Sequence, residues 1–142
     1  MIEGAGPPAI IVHSLAQALV AAEAAAALGK PLTLRSAAGA GGTVGVGWFA
    51  SLGAVLSERH PDLELTLVLD CADEAGTALG ALRRGLKAVR IAGPPEVRAK
   101  LAALAETYGA RLDDDERPCL DLVGGLVEQA DLAARCRDWL AD

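Results

Sequence analysis

The chain has 142 residues, enough for one domain with a sizeable core. It is 52% hydrophobic but only 3% aromatic, so that core must be assembled from Ala, Leu and Val, and its net charge is -6. That acidity argues against a nucleic-acid or anionic-membrane partner, and no apolar run reaches the ~18 residues of a membrane span. The amino-terminal residues lack the basic start and long apolar stretch of a signal peptide. Cys71, Cys119 and Cys136 show no metal-type spacing, which points to free thiols in a reducing compartment, with the cytoplasm expected.

In chain order, residues 1–8 form a loose Gly/Pro leader to a single α/β domain spanning 1–142. Residues 9–13 are an apolar first strand. Ser14 is placed as the N-cap of an alanine-dense helix over 15–28, closed by Gly29. Residues 31–36 form a second strand, 37–47 a glycine-rich loop, and 48–59 a second helix stopped by His60-Pro61. A third strand ends in Asp70-Cys71, a helix ending at Gly85 follows, and a fourth strand at 88–92 runs into Gly93-Pro94-Pro95. Those prolines suit the start of a helix over 96–108, with Gly109 past its end. Residues 111–112 begin a fifth strand that Asp113-Asp114-Asp115-Glu116, a solvated acidic run, soon breaks. Residues 119–123 are a further short extended piece, and 126–140 a last amphipathic helix.

This alternation defines an α/β fold with a parallel sheet of four or five strands built from consecutive βα units. It fits half of a (β/α) barrel or, alternatively, a flavodoxin-like doubly wound sheet. Strand parity adds detail. Leu32 and Leu34, then Leu65, Leu67 and Leu69, then Val89 and Ile91 fall on one face, suited to packing under helices. Thr33 and Arg35, then Thr66, Val68 and Asp70, then Ala88, Arg90 and Ala92 fall on the other. Two mid-strand arginines need partners, because an unpaired buried charge costs on the order of 3–5 kcal/mol. Strand order 1-2-3-4 is therefore expected, with Arg35 and Arg90 flanking Asp70 on a concave wall that binds an anion, faces another subunit or is a purely structural ion network.

Chemistry in parallel sheets gathers at the carboxyl ends of strands. There the candidate catalytic residues are Asp70, Cys71 and His13. Cys71 just before a helix amino terminus is the expected reactive thiol. Candidate anion-binding residues are Arg35, Ser36, Arg90, Gly93 and, in the glycine-rich loop, Gly39, Gly41 and Gly42, whose backbone amides precede a helix. That loop carries no P-loop lysine, and no lysine stands at a strand end where a Schiff base would form.

From residue 14 to about 112, roughly two thirds of the chain, the sequence resembles the amino-terminal half of the class II fructose-bisphosphate aldolases. Pro31-Leu-Thr-Leu-Arg-Ser36 with Gly39-Ala40 is similar to their second strand and its Gly-Ala loop. Leu67-Val-Leu-Asp70-Cys71-Ala72 is similar to their Leu-x-Leu-Asp-His-Gly, and Leu82-Arg-Arg-Gly85-Leu-Lys-Ala-Val-Arg-Ile-Ala-Gly93 to the segment that follows. The resemblance places Asp70 at the catalytic aspartate, Cys71 at a metal-binding histidine and Ala92 at an aspartate. The remaining family ligands and phosphate loops fall in the second half of the barrel, and no metal ligands are assigned. The expectation is a truncated, non-catalytic aldolase-like half barrel binding a small phosphorylated or carboxylate ligand or another subunit, as a homodimer. The other expectation is a metal- or thiol-dependent lyase of aldolase type, its site completed across the dimer. No cofactor is indicated.

Overall fold

The computed structural model describes residues 6–123 and 129–141. Six parallel strands form one open sheet: β1 (Ile10–Val12), β2 (Leu32–Ser36), β3 (Leu65–Asp70), β4 (Ala88–Arg90), β5 (Arg111–Leu112) and β6 (Leu120–Asp121), in the order β5-β4-β3-β2-β1-β6. Six helices are seen among the described residues: α1 (Leu15–Leu28), α2 (Ala40–Thr43), α3 (Val46–Arg59), α4 (Ala75–Arg83), α5 (Pro95–Thr107) and α6 (Gln129–Ala141). The consecutive order β1 to β5 is that of a half barrel, and the order 2-1-3-4 of a flavodoxin-like sheet is excluded. One detail differs from expectation. The sheet has six strands rather than four or five, and the short extended piece expected at 119–123 is the sixth, lying on the outer side of β1.

Local signals explain the elements. Ser14 is extended (φ -154°) and its hydroxyl accepts from Gln17 N at 3.2 Å, while Gly29 closes α1 in the left-handed region at φ 65°, its N–H reaching the Ala25 and Ala26 carbonyls. The glycine-rich stretch is not all loop: it holds α2, and α3 begins at Val46, before Trp48. Of the expected loose leader, residues 1–5 lie outside the described residues, as do 126–128 of the last expected helix. Residues 6–8 are tied down, because Gly6 O accepts from Arg117 Nη1 at 3.0 Å and Pro8 O from Trp139 Nε1 at 2.9 Å.

Right-handed crossovers between consecutive parallel strands place their helices on one face. Two apolar clusters form beneath them. Ile10, Val12, Leu32 and Leu34 pack with the alanines of α1, Leu56 of α3 and Leu140 of α6, whereas Leu69, Val89 and Ile91 pack with Phe49, Leu82 and Leu101. Trp48 touches both and stacks on Phe49 at 5.8 Å between centroids. Gly53 lets α3 lie directly against Leu67 of β3, where a Cβ would collide. The opposite, concave face carries Thr33, Arg35, Thr66, Val68, Asp70, Ala88 and Arg90 by parity. Val68 and Ala88 are fully buried yet belong to neither helix-side cluster.

Candidate functional site

Residues 113–119 carry the chain from β5 at one edge of the sheet to β6 at the other, across the concave wall. They bend at Arg117, with Asp113, Asp115, Arg117 and Cys119 buried or half-buried and Asp114, Glu116 and Pro118 exposed. Asp113 continues the β5 ladder, its N–H reaching Val89 O at 2.8 Å, and thereby falls beside Arg90 on the concave face.

Three guanidinium groups converge on its carboxylate. Arg90 Nη1 donates to Oδ2 at 2.6 Å, Arg35 Nη2 to the same oxygen at 3.4 Å, and Arg111 Nη1 to Oδ1 at 3.3 Å. Arg35 and Arg90 also donate to Asp115 O, at 3.3 and 2.9 Å. In a flat sheet β2 and β5 would lie roughly 14 Å apart, so contact between Arg35 and Asp113 measures how tightly this sheet curls. Burial works against the charge of Arg90, but the hydrogen bond and charge of Asp113, with Glu116 behind, outweigh it and hold its pKa above the usual guanidinium value. Asp115 is held at about 2 chiefly by the hydrogen bonds from Arg117, against a smaller opposing effect of burial. Arg35 Nε is buried with no hydrogen-bond partner among the described residues.

The two arginines thus share one wall, as parity predicts, but Asp70 is not the acid between them. Asp70 lies beside Arg90 in register, yet its Oδ1 accepts from Gly39 N at 3.0 Å and Ala72 N at 2.9 Å. It ties the glycine-rich turn to the end of β3, holding Ala72 in the left-handed region at φ 50°. Gly39 therefore directs its amide at the chain's own carboxylate. Gly41 and Gly42 lie at the start of α2, where a Cβ would press on Cys71 and Glu74 respectively, so their role is close packing. Ser36 points to the helix side, donating to Ala37 O at 3.1 Å and accepting from Asp70 N at 2.9 Å. Gly93, at φ 141°, shapes the exposed turn into α5.

Cys71 does not join this wall. By parity with Leu69 it faces the helices, is fully buried, and packs in the cluster of Phe49 and Ala78. Burial first, then the charges of Asp70 and Glu74, push its thiol up to about 11, so the expected helix-dipole activation is overridden. His13 is separated from Asp70 by β2 and instead pairs with Asp121 of β6, Nε2 to Oδ1 at 2.6 Å. Sequence reasoning missed Asp121, which is 108 positions away. It also read Asp113 as part of a solvated run. The available signal was parity: Asp113 sits two residues after Arg111, on the arginine face.

The metal that the aldolase resemblance implies does not fit these residues. Cys71 turns its protonated thiol to the helices and Ala92 offers no donor. Among the described residues no group of three or more His, Cys, Asp or Glu side chains is placed to hold an ion. No described helix is long and apolar enough to cross a membrane.

No family model matches the chain, and no curated protein matches it. Among solved structures it is similar to a protein from Coccidioides immitis described as a fructose-1,6-bisphosphate aldolase. That likeness has a TM-score of 0.63 at 16% identity and covers 92% of this chain and 52% of that one. The chain thus spans about half the length of that neighbour. At this identity the likeness is one of fold: an aldolase-like parallel α/β sheet.

Proposed function

We propose that this chain is a non-catalytic, aldolase-like half-barrel domain whose concave wall binds a small oxyanion, a phosphate or a carboxylate, through Arg35 and Arg90. One observation carries this reading: both guanidiniums, with Arg111, converge on a single buried carboxylate at the carboxyl ends of the strands. A carboxylate and a phosphate present the same kind of acceptor to arginine forks. A network serving stability alone gains little from burying such charges, since apolar side chains in their place are commonly neutral or better. The position supports it too, because ligands of parallel α/β sheets gather at the strand carboxyl ends.

The lyase reading is weaker on the same grounds, since its thiol faces the helices and its metal ligands are absent from the described residues. Binding of a second copy through the sheet edges is also less favoured: the edge strands β5 and β6 each have two residues, and such short edges discourage pairing. The free thiols of all three cysteines suit a reducing compartment such as the cytoplasm.

Calorimetric titration with inorganic phosphate and with succinate tests the reading. Saturable binding that Arg35→Gln and Arg90→Gln each abolish is expected. Absence of heat and of thermal stabilisation at millimolar anion, in native protein and in a variant lacking the Asp113 carboxylate alike, would refute it.

A further inference from the structure

We propose that residues 113–119 are an autoinhibitory strap, with Asp113 acting as an internal ligand that an incoming oxyanion must displace. This rests on the reading of Arg35 and Arg90 as an anion site. The observations concern how the strap is held. Its carboxylate occupies the converging donors, but unevenly: Arg90 is engaged closely at 2.6 Å, whereas both Arg35 contacts, at 3.4 and 3.3 Å, are long. Arg35 Nε is left buried without an acceptor among the described residues, a situation that calls for an explanation in a folded protein. A tetrahedral oxyanion brings more acceptor oxygens than one carboxylate and can meet Arg35 and Arg90 together.

The strap is anchored to the sheet mainly through the same arginines that an anion would engage. Asp113 N–H joins the β4 ladder at Val89 O, whereas Arg117 N–H bonds within the strap to Asp115 Oδ1. The other ties run to the site's own arginines, Arg90 and Arg35 at Asp115 O and Arg90 at Glu116 Oε1, and through Arg117 to Asp115 and Gly6 O. Alternate residues 114, 116 and 118 already face solvent. Lifting the strap therefore breaks ion pairs that the entering anion replaces, and leaves the apolar clusters beneath the helices intact. Closure lowers apparent affinity by the fraction of molecules with the strap open. The wall thus fills at a higher anion concentration than its intrinsic affinity alone would require.

Cys119, at the end of the strap and half-buried beside Arg35 and Arg90, reports opening without a mutation. The experiment measures the alkylation rate of Cys119 in the native chain against inorganic phosphate, with sodium chloride at matched ionic strength as control. Saturable acceleration by phosphate and not by chloride is expected. Phosphate affinity in Asp113→Asn is expected to rise by about tenfold or more, since the competing charge is gone. Phosphate binding that depends on Arg35 but leaves both the Cys119 rate and the Asp113→Asn affinity unchanged overturns the strap and leaves the anion site standing. Failure of phosphate to bind either protein overturns both. If Asp113→Asn does not fold, the native labelling curve decides alone.

Discussion

Replacing Asp113 with alanine removes the one carboxylate on which Arg35, Arg90 and Arg111 converge. Its side chain is 5% exposed, and those of Arg35 and Arg90 are 12% and 19% exposed, so two charges would be left in a poorly solvated wall. Breaking a fully buried pair from one side costs about 3–5 kcal/mol. Arg90 keeps Asp115 O and Glu116 as partners, which places this case at the lower end, about 3 kcal/mol. At the ~2–4 °C per kcal/mol of a domain this size, the melting temperature should fall by about 6–12 °C. Urea unfolding followed by circular dichroism and tryptophan fluorescence measures both. A second variant separates stabilisation from ligand recognition: Arg35→Met, Arg90→Met and Asp113→Leu together should unfold within about 1 kcal/mol of the native chain, or above it. If Asp113→Ala lies within about 0.5 kcal/mol of native, the carboxylate is solvated and the reasoning fails. A combined apolar variant as unstable as Asp113→Ala would show that the ions themselves stabilise the fold.

The Asp115 carboxyl is held at about 2, against an ordinary 3.8. Between these values the unfolded chain binds more protons, so the contribution of Asp115 is complete above about pH 4 and lost as pH falls towards 2. With the side chain 25% exposed, solvent screening leaves roughly 1 kcal/mol. Urea midpoints from about pH 5 to about pH 2 should show that loss in the native chain and a flatter profile in Asp115→Asn; parallel profiles would contradict it. Thiol order is equally definite. Cys71 and Cys136 are fully buried, and Cys71 is pushed up to about 11, so iodoacetamide at neutral pH should label Cys119 first, read by peptide mass mapping. Initial labelling at Cys71 would contradict the placement of that thiol.

What the sequence made legible was local or periodic. Ser14 and Gly29 bound α1 because caps need only a few neighbouring residues. Alternation along β2, β3 and β4 put Arg35, Asp70 and Arg90 on one face without any tertiary information. The choice of counter-ion was not legible, because it depends on curvature. In one dimension Asp70 is the natural partner. In the folded chain it is engaged by the amides of Gly39 and Ala72, and Asp113 comes within reach of Arg35 across two intervening strands. Acidic runs are usually solvated, and three of these four residues give no hint that the first is buried. The pairing of His13 with Asp121 was hidden for a simpler reason: nothing near either residue encodes the return of β6 to β1.

That return sets an order of events during synthesis. Before β6 emerges, β1 has a neighbour only in β2, and its outer edge waits for residues more than 100 positions downstream, as the separations of 108 for His13 and Asp121 and 105 for Gln17 and Leu122 show. The first of the six strands to be made is thus the last to be fully enclosed, with Trp139 closing over Pro8 across 131 positions. Contacts of such long range slow folding, because the loop must close before they repay its entropy. A ribosome-bound chain that has just completed β5 therefore presents the open flank of β1 together with the exposed alanine-rich side of α1, on which α6 has yet to land. For that interval, this flank is where a nascent chain is most open to capture by a chaperone or by a neighbouring copy.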